Sequence, residues 1–423
     1  MFHSAAAFHS PFRRGALRLL GPLLALLVYA TSAASARAIT IQFDYSHDTL
    51  GFFGTAQNPT LARTTLEFAA RTFTPFTDSL AAIQPGGANS WTAMFTDPST
   101  GTSISVPNLV VPQNTLIVYP IARNLAEGTL GQAGPGTHSF NDFPSALFSN
   151  AVSNRSQGNA DLDFAPWGGV IAVDVENSSG APRNWHYDLD AKPAADEYDF
   201  YTVVTHELAH LFGYGVSSAF THDIFRESPT TAYFTGEITQ NLYGGTVPMY
   251  IPPSPVNAPA QHWGTSVTSP PFLLGTRPQP SLGPFLPRGE RKLFTPLDYA
   301  ALADIGWQVP AKLFGLPGDI NGDNFVDGAD FLLWQRSYGG TGALSGDVNG
   351  DQVVDDFDGW ILSNYFGSIG SGAVVNSAVQ VAVPEPRAAA LAVMGLLSLF
   401  ARRRRHNIMT VVTINSCSHA NPK

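Results

Sequence analysis

Residues 199–213 read DFYTVVTHELAHLFG, and this stretch decides the fold prediction. Its apolar side chains recur at the spacing of one helical face, which predicts a buried helix over 199–212. Gly213 stands where the chain could turn out of that helix. The apolar positions are Phe200, Val203, Val204, Leu208 and Leu211.

This helix carries a pair of histidines suited to metal binding. His206 and His210 are four residues apart and therefore share one helical face. Two imidazoles in that arrangement can bind one zinc ion. Glu207 lies about 100° around the helix and could serve a metal-activated water as general base. The alternative is an accidental histidine pair on a buried helix. The pattern therefore predicts zinc ligands at His206 and His210 and a catalytic role for Glu207.

The pattern His-Glu-x-x-His-x-x-Gly over 206–213 resembles the start of the metzincin metalloprotease motif. That motif continues to a third ligand three residues past the glycine, where this chain has Val216. The leishmanolysin group of metzincins places an insertion there, so the resemblance implies a later ligand. We prefer His262, which follows a Gly/Pro-rich insertion; His222 and Asp223 are the other candidates. A gluzincin-like ligand, Glu227 or Glu237, stays open as a further alternative.

Local patterns predict the elements around this helix. Strands are predicted at 39–45, 108–119 and 168–174, and helices at 60–73 and 295–307, the latter capped by Thr295 or Asp298. We expect a Gly-rich loop over 128–138 and a largely loop-rich region over 214–296.

Five segments together resemble secreted bacterial metzincins that carry PEP-CTERM tails, over residues 39–310. The resemblance implies an α+β zincin domain with a mixed sheet and an active-site helix. It also implies that 168–174 is the edge strand that binds peptide substrate; an internal strand is the equal alternative. Metzincins place a methionine turn after the third ligand. This chain has no methionine between His262 and Trp307, and Pro278 lies near the expected place. The five segments are 167–174, 185–188, 199–213, 262–263 and 294–307.

An internal repeat follows this region, with two acidic loops 28 residues apart at 319–330 and 347–358. Oxygen side chains stand at positions 1, 3, 5, 9 and 12 of each loop, a pattern that suits Ca²⁺. The alternative is a metal-free Asp/Asn-rich surface hairpin. Asn324 and Gln352 occupy position 6, where glycine is usual, and the glutamine predicts the weaker second site. The predicted calcium ligands are Asp319, Asn321, Asp323, Asp327 and Asp330, then Asp347, Asn349, Asp351, Asp355 and Asp358.

The repeat resembles a type I dockerin module over 318–367. The resemblance implies a small all-α module with two structural Ca²⁺ ions and a possible cohesin-like partner. The positions that select the partner in dockerins hold Gly328-Ala329 and Asp356-Phe357 instead of the usual Ser-Thr pairs. A folded, calcium-held spacer is the alternative.

Both ends of the chain carry export signals. Residues 1–38 are typical of a signal peptide, with arginines before the apolar run 19–29. After a linker at 368–382, the segment 383–405 has the sequence VPEP, an apolar run and four arginines. It resembles the PEP-CTERM sorting signal of Gram-negative bacteria. That resemblance implies recognition by an exosortase, a transient hold in the inner membrane and a final place outside the cell or on its surface. The tail 406–423 has no predicted role.

Composition narrows the functional classes. The 423 residues allow two or three domains, and the net charge of −10 disfavours a nucleic-acid partner. The single cysteine, Cys417, excludes an internal disulfide framework and a cysteine-rich zinc site. Together these patterns predict a secreted or surface-anchored zinc endopeptidase. The alternative is a non-catalytic extracellular matrix or dockerin-type binding protein on a degraded metzincin fold.

Overall fold

The computed structural model describes residues 38–373, except Ser99, Asn141, Asp142, Val256 and Leu274. The predicted sorting signal 383–405, the tail 406–423, most of the linker 368–382 and all but the last residue of the predicted signal peptide lie outside these residues. Within the described part, no helix combines the length and apolar character needed to cross a membrane.

The described chain is a mixture of helices and several sheets, which confirms the α+β prediction. The strands are β1 (Thr40–Phe43), β2 (Trp91–Thr96), β3 (Ser103–Pro107), β4 (Thr115–Arg123), β5 (Gly131–Pro135), β6 (Thr137–Phe140), β7 (Gly168–Asp174), β8 (Trp185–His186), β9 (Tyr198–Asp199), β10 (Ile224–Ser228), β11 (Thr231–Phe234), β12 (Val247–Tyr250) and β13 (His262–Trp263). The helices are α1 (Leu61–Ala69), α2 (Ala146–Asn154), α3 (Phe200–Leu211), α4 (Ser218–His222), α5 (Glu237–Tyr243), α6 (Pro296–Asp304), α7 (Gly328–Ser337) and α8 (Asp356–Tyr365).

The central sheet has the strand order β1-β4-β7-β5. Strands β1, β4 and β7 are parallel, and β5 runs antiparallel to β7. Strand β7 is buried along its whole length, as expected for an inner strand covered on both faces. The prediction that 168–174 is the edge strand is therefore wrong. The edge strand next to β7 is β5, and β1 forms the other edge. Strand β5 lies in the predicted Gly-rich loop; its glycines conceal the strand pattern, and edge position is not readable from sequence.

Helix α3 is the predicted histidine helix, and it packs against β5, β7 and α1. The Asp199 carboxylate caps it by accepting a hydrogen bond from the Thr202 backbone N–H. All of its residues except His206 are buried, so the apolar stripe predicted from sequence is embedded in the main core. The Arg291 guanidinium pairs with Asp199 at 2.8 Å and neutralises this buried cap.

The region 214–296 contains more regular structure than the sequence predicts. Strands β10, β11, β12 and β13 form an antiparallel sheet in that order. Along the chain, α4 precedes β10, and α5 connects β11 to β12. The strands are two to five residues long, too short for a clear alternation pattern. The closing helix α6 begins as predicted, with a capping box formed by Thr295 and Asp298.

The repeat folds as two similar loop–helix units. Asp327 and Asp330 form the capping box of α7, and Asp355 and Asp358 form that of α8. Asn324 and Gln352, at position 6 of the loops, both adopt left-handed backbone, with φ of 65° and 68°. Both loops thus make the sharp turn for which glycine is usual at this position.

Candidate metal centre

Three histidines converge on one point at the surface of α3. The Nε2 atoms of His206 and His210 are 3.1 Å apart, and the Nε2 of His262 lies 3.2 Å from the first and 3.3 Å from the second. Three nitrogens bound to a tetrahedral metal at about 2.0–2.1 Å would be about 3.3 Å apart. The Nε2 triangle therefore has the dimensions of a metal site.

The third member of the triangle comes from the inserted sheet. His262 lies in β13, where it pairs with Tyr250 of β12. Sequence reasoning preferred His262, and the structure places it with the other two predicted ligands. The alternative candidates lie elsewhere: His222 is 58% exposed and pairs with Asp223 at 3.1 Å, and neither belongs to the triangle. Glu227 and Glu237 are exposed residues of β10 and α5.

Backbone carbonyls fix the orientation of two of the imidazoles. The Nδ1 of His206 donates to the Ser281 carbonyl at 2.8 Å, and the Nδ1 of His210 donates to the Tyr214 carbonyl at 2.8 Å. A carbonyl can only accept, so these bonds place the proton on Nδ1 and leave the Nε2 lone pairs free for a cation. This is the outer-shell arrangement that metal-binding histidines adopt.

Burial keeps the imidazoles neutral. Burial and, to a lesser extent, the nearby His210 together lower the pKa of His206 to about 3. Burial also lowers the pKa of His210 and that of His262. Neutral imidazoles at pH 7 are the form that binds metal, so no proton has to be displaced when an ion enters.

Glu207 follows His206 in α3 and lies against the edge strand β5. Burial raises the pKa of its carboxyl to about 8, and a backbone hydrogen bond from Ala133 of β5 opposes that rise. A divalent cation nearby would favour the ionised carboxylate, the form that a general base needs. Gly131 makes this approach possible, because a Cβ there would lie 2.7 Å from the Glu207 Cγ. Sequence reasoning missed this contact between strand and helix.

A short turn closes the site beneath His206. The carbonyl that accepts the His206 hydrogen bond belongs to Ser281, within the stretch 277–282 where the methionine turn was expected. Pro278, the residue predicted near the methionine's place, instead accepts a hydrogen bond from the Ser269 backbone N–H at 2.9 Å. The residue that supports the histidine is therefore Ser281.

Asp298 ties this turn to the rest of the site. Its fully buried carboxylate accepts from the Ser281 and Leu282 backbone N–H groups at 2.9 and 3.2 Å, and from the Trp263 Nε1–H at 2.9 Å. It also accepts two hydrogen bonds from Thr295. Burial raises the pKa of Asp298, and these donors oppose the rise. Sequence reasoning identified Asp298 only as a helix cap, because its contacts with the turn and with β13 are long-range.

We expect Asp298→Asn to weaken metal binding about 10–100-fold, as loss of an outer-shell partner typically does. The amide N–H group of asparagine would face backbone and indole N–H donors, which now bond to the carboxylate oxygens. The resulting loss of hydrogen bonds would loosen both the Ser281 turn and β13. Metal affinity is measured by competition with a chromogenic chelator. Asp304→Asn is the matched control, because Asp304 lies in the same helix and accepts from Ile238 and Thr239, away from the site. Equal losses in both variants would contradict this role.

The acidic loops fold around their own carboxylates. In the first loop, Asp319 accepts from the backbone N–H groups of residues 322–324, and Asp330 accepts from those of Ile320, Asn321 and Asp327. The second loop repeats this with Asp347 and Asp358. At position 9, Asp327 and Asp355 each accept a hydrogen bond from the backbone N–H two residues on and cap helices α7 and α8. The donor set is entirely oxygen, which fits Ca²⁺ and not a softer metal.

The arrangement can thus present three neutral imidazoles and one glutamate to a metal ion and a substrate. The predicted residues His206, Glu207, His210 and His262 all contribute to it, and β5, Ser281 and Asp298 complete it. Comparisons of the chain with models of protein families, with curated proteins and with solved structures found no match.

Proposed function

We propose that the protein is a zinc endopeptidase with a metzincin-like fold. His206, His210 and His262 would hold one zinc ion, and Glu207 would act as general base. The observation that carries this proposal is the Nε2 triangle of 3.1–3.3 Å sides with a buried glutamate one residue along the helix from its first member. Three protein ligands and an open fourth position are typical of catalytic zinc sites, whereas structural sites are closed.

The donor chemistry supports zinc over other ions. Imidazole suits zinc, and a tetrahedral site with three imidazoles recurs in zinc hydrolases. When bound, zinc would supply a Lewis acid that polarises the scissile carbonyl and acidifies water. Glu207 would accept the proton of the attacking water and return it to the leaving amine.

The edge strand β5 supports a peptide as the substrate. It lies at one border of the central sheet, and within the described chain its strand partner is β7, while the Ala133 backbone N–H of β5 bonds the Glu207 carboxylate. An extended peptide could add to the outer edge as a further strand, which would place its backbone along the site. Gly131 leaves room for the Glu207 side chain beside this strand, because a Cβ there would lie 2.7 Å from the Glu207 Cγ.

The remaining predictions complete the proposal. The oxygen-lined loops would hold two structural Ca²⁺ ions, and the export signals would place the enzyme outside a Gram-negative cell or on its surface after action of an exosortase.

A cohesin-like partner has less support. Phe357, one of the positions that would select it, is buried against Phe68, while Gly328 and Ala329 are exposed. The negative charge continues to disfavour nucleic acid.

Casein zymography of the full chain tests this function. The protease should clear casein, lose that activity with the zinc chelator phenanthroline and regain it when zinc is added back. The second candidate, a non-catalytic matrix or binding protein, is favoured by the missing methionine. Zinc-loaded protein that clears no casein would establish that alternative over ours, and clearing that ignores the chelator would contradict a zinc mechanism.

A further inference from the structure

The second helix of the repeat is packed into the core that holds the histidine helix. Phe357 and Trp360 of α8 are buried in the same hydrophobic cluster as Phe200 and Tyr201 of α3. The Trp360 ring lies 4.7 Å from the Tyr201 ring and 5.2 Å from that of Phe68 in α1. Sequence reasoning assigned this helix to a separate module, yet its apolar face packs on the first turn of α3.

Hydrogen bonds link α8 to the cap of α3 as well. The Trp360 Nε1–H donates to the Leu189 carbonyl at 3.1 Å. The same carbonyl accepts from Arg291 at 2.7 Å, and Arg291 is the partner of the capping carboxylate of Asp199. Trp360 therefore supports both the apolar face and the N-terminus of the helix that carries His206, Glu207 and His210.

The second acidic loop and α8 are built as one unit. The Asp358 carboxylate bonds the α8 capping residue Asp355 and also the loop backbone at Val348 and Asn349. Any change in the loop is therefore transmitted to the start of α8. The first loop is one step further from α3. Within the described chain the only buried residue of its helix α7 is Asp330, and α7 reaches the second loop through the Trp334 Nε1–H, which donates to the Asp355 carbonyl at 3.0 Å. Val326 of the first loop packs with Leu362 and Tyr365 of α8, in a different cluster from Trp360.

The second loop also has charged contacts with residues outside the repeat's loops. The second loop has five aspartates between residues 347 and 358. Two cations from outside the repeat's loops partly neutralise them: Arg71 contacts both oxygens of Asp355 at 2.6–2.7 Å, and Lys312 lies 3.1 Å from Asp347. Arg71 also lies over the Phe357 ring at 4.7 Å. A dication in this loop would lower the remaining repulsion beside the interface.

We propose that Ca²⁺ in the second loop stabilises the three-histidine centre through α8, whereas Ca²⁺ in the first loop does not. The link runs from the loop to Asp358, then to Trp360, and then to Tyr201 and the cap of α3. This deepens the proposed function, on which it rests for the identity of the two ions. It makes the repeat a regulatory support of the metal centre, in addition to any role as a spacer.

The test compares the same change in the two loops of the full chain. Asp323→Ala and Asp351→Ala each remove the position-5 ligand, one hydrogen bond from a loop backbone N–H and one from an asparagine side chain; Asp351→Ala also removes a 3.5 Å contact with Arg71. Amide hydrogen exchange of 200–211 is followed by mass spectrometry in zinc-free protein, with and without millimolar Ca²⁺. Zinc transfer to a chromogenic chelator is followed in zinc-loaded protein. Calcium should slow both about tenfold in the wild type and in Asp323→Ala, within the usual range of coupling between sites, and have little effect in Asp351→Ala.

A second variant separates the loop from the contact. Trp360→Leu should still bind Ca²⁺ by calorimetry, yet lose the effect of calcium on exchange of 200–211. Equal calcium effects in the two loop variants, or none in the wild type, would overturn the inference. Neither readout needs peptide cleavage. A chain that shows the coupling but cleaves no casein would refute the peptidase proposal alone, and an active protease without coupling would refute this inference alone.

Discussion

Glu207→Gln is expected to retain one zinc ion per chain and to lose peptide cleavage by at least about a thousandfold, within the range that general acid–base groups contribute. Glutamine has the same shape and fits the space left by Gly131, so the fold and the histidine triangle should persist. It cannot accept the proton of the attacking water. Cleavage is measured with a quenched fluorescent peptide, and zinc content by mass spectrometry of the metal.

Glu227→Gln is the control for this change. Glu227 lies in β10, is exposed, and was the alternative glutamate ligand considered from sequence. Its amide variant should match the wild type in both zinc content and rate. Cleavage by Glu207→Gln at the wild-type rate would refute the role assigned to Glu207, and loss of zinc from that variant would assign it a ligand role instead.

His262→Ala is expected to reduce zinc affinity by at least about a hundredfold, more than the loss of an outer-shell partner costs. The two helical histidines would remain, but two ligands do not make the three-nitrogen site of a catalytic zinc centre. Peptide cleavage should fall with the zinc content at limiting zinc. Affinity is measured by competition with a chromogenic chelator.

His222→Ala is the matched control, because His222 lies in the same insertion and is largely exposed. It should bind zinc as the wild type does. Full zinc affinity in His262→Ala together with a loss in His222→Ala would move the third ligand to the other candidate and require a rearranged insertion.

The helix and two of the ligands could be predicted because their signals are local. Helix α3 follows from the apolar spacing and the Asp199 cap, and the interval of four places His206 beside His210. His262 followed from the resemblance and the need for a third ligand. The sheet that delivers it was not predictable, because β13 is two residues long and pairs with a strand of four.

Long-range contacts account for what sequence reasoning missed. Gly131 of strand β5 has a reason found only in three dimensions, the close approach of Glu207. Asp298 and Ser281 lie 92 and 75 residues beyond His206 in the chain. From local patterns alone, the Asp298 carboxylate is recognised only as a helix cap. The apolar side chains of α8 are close together in the sequence, but the residue they pack on, Tyr201 in the first turn of α3, is more than 150 residues away.

The central claim is that three imidazole nitrogens hold one zinc ion, and zinc X-ray absorption spectroscopy of the purified protein tests it most directly. The account predicts one zinc per chain, with three imidazole nitrogens at about 2.0–2.1 Å and one further light ligand. A spectrum dominated by carboxylate oxygens, or one with only two imidazoles, would contradict it.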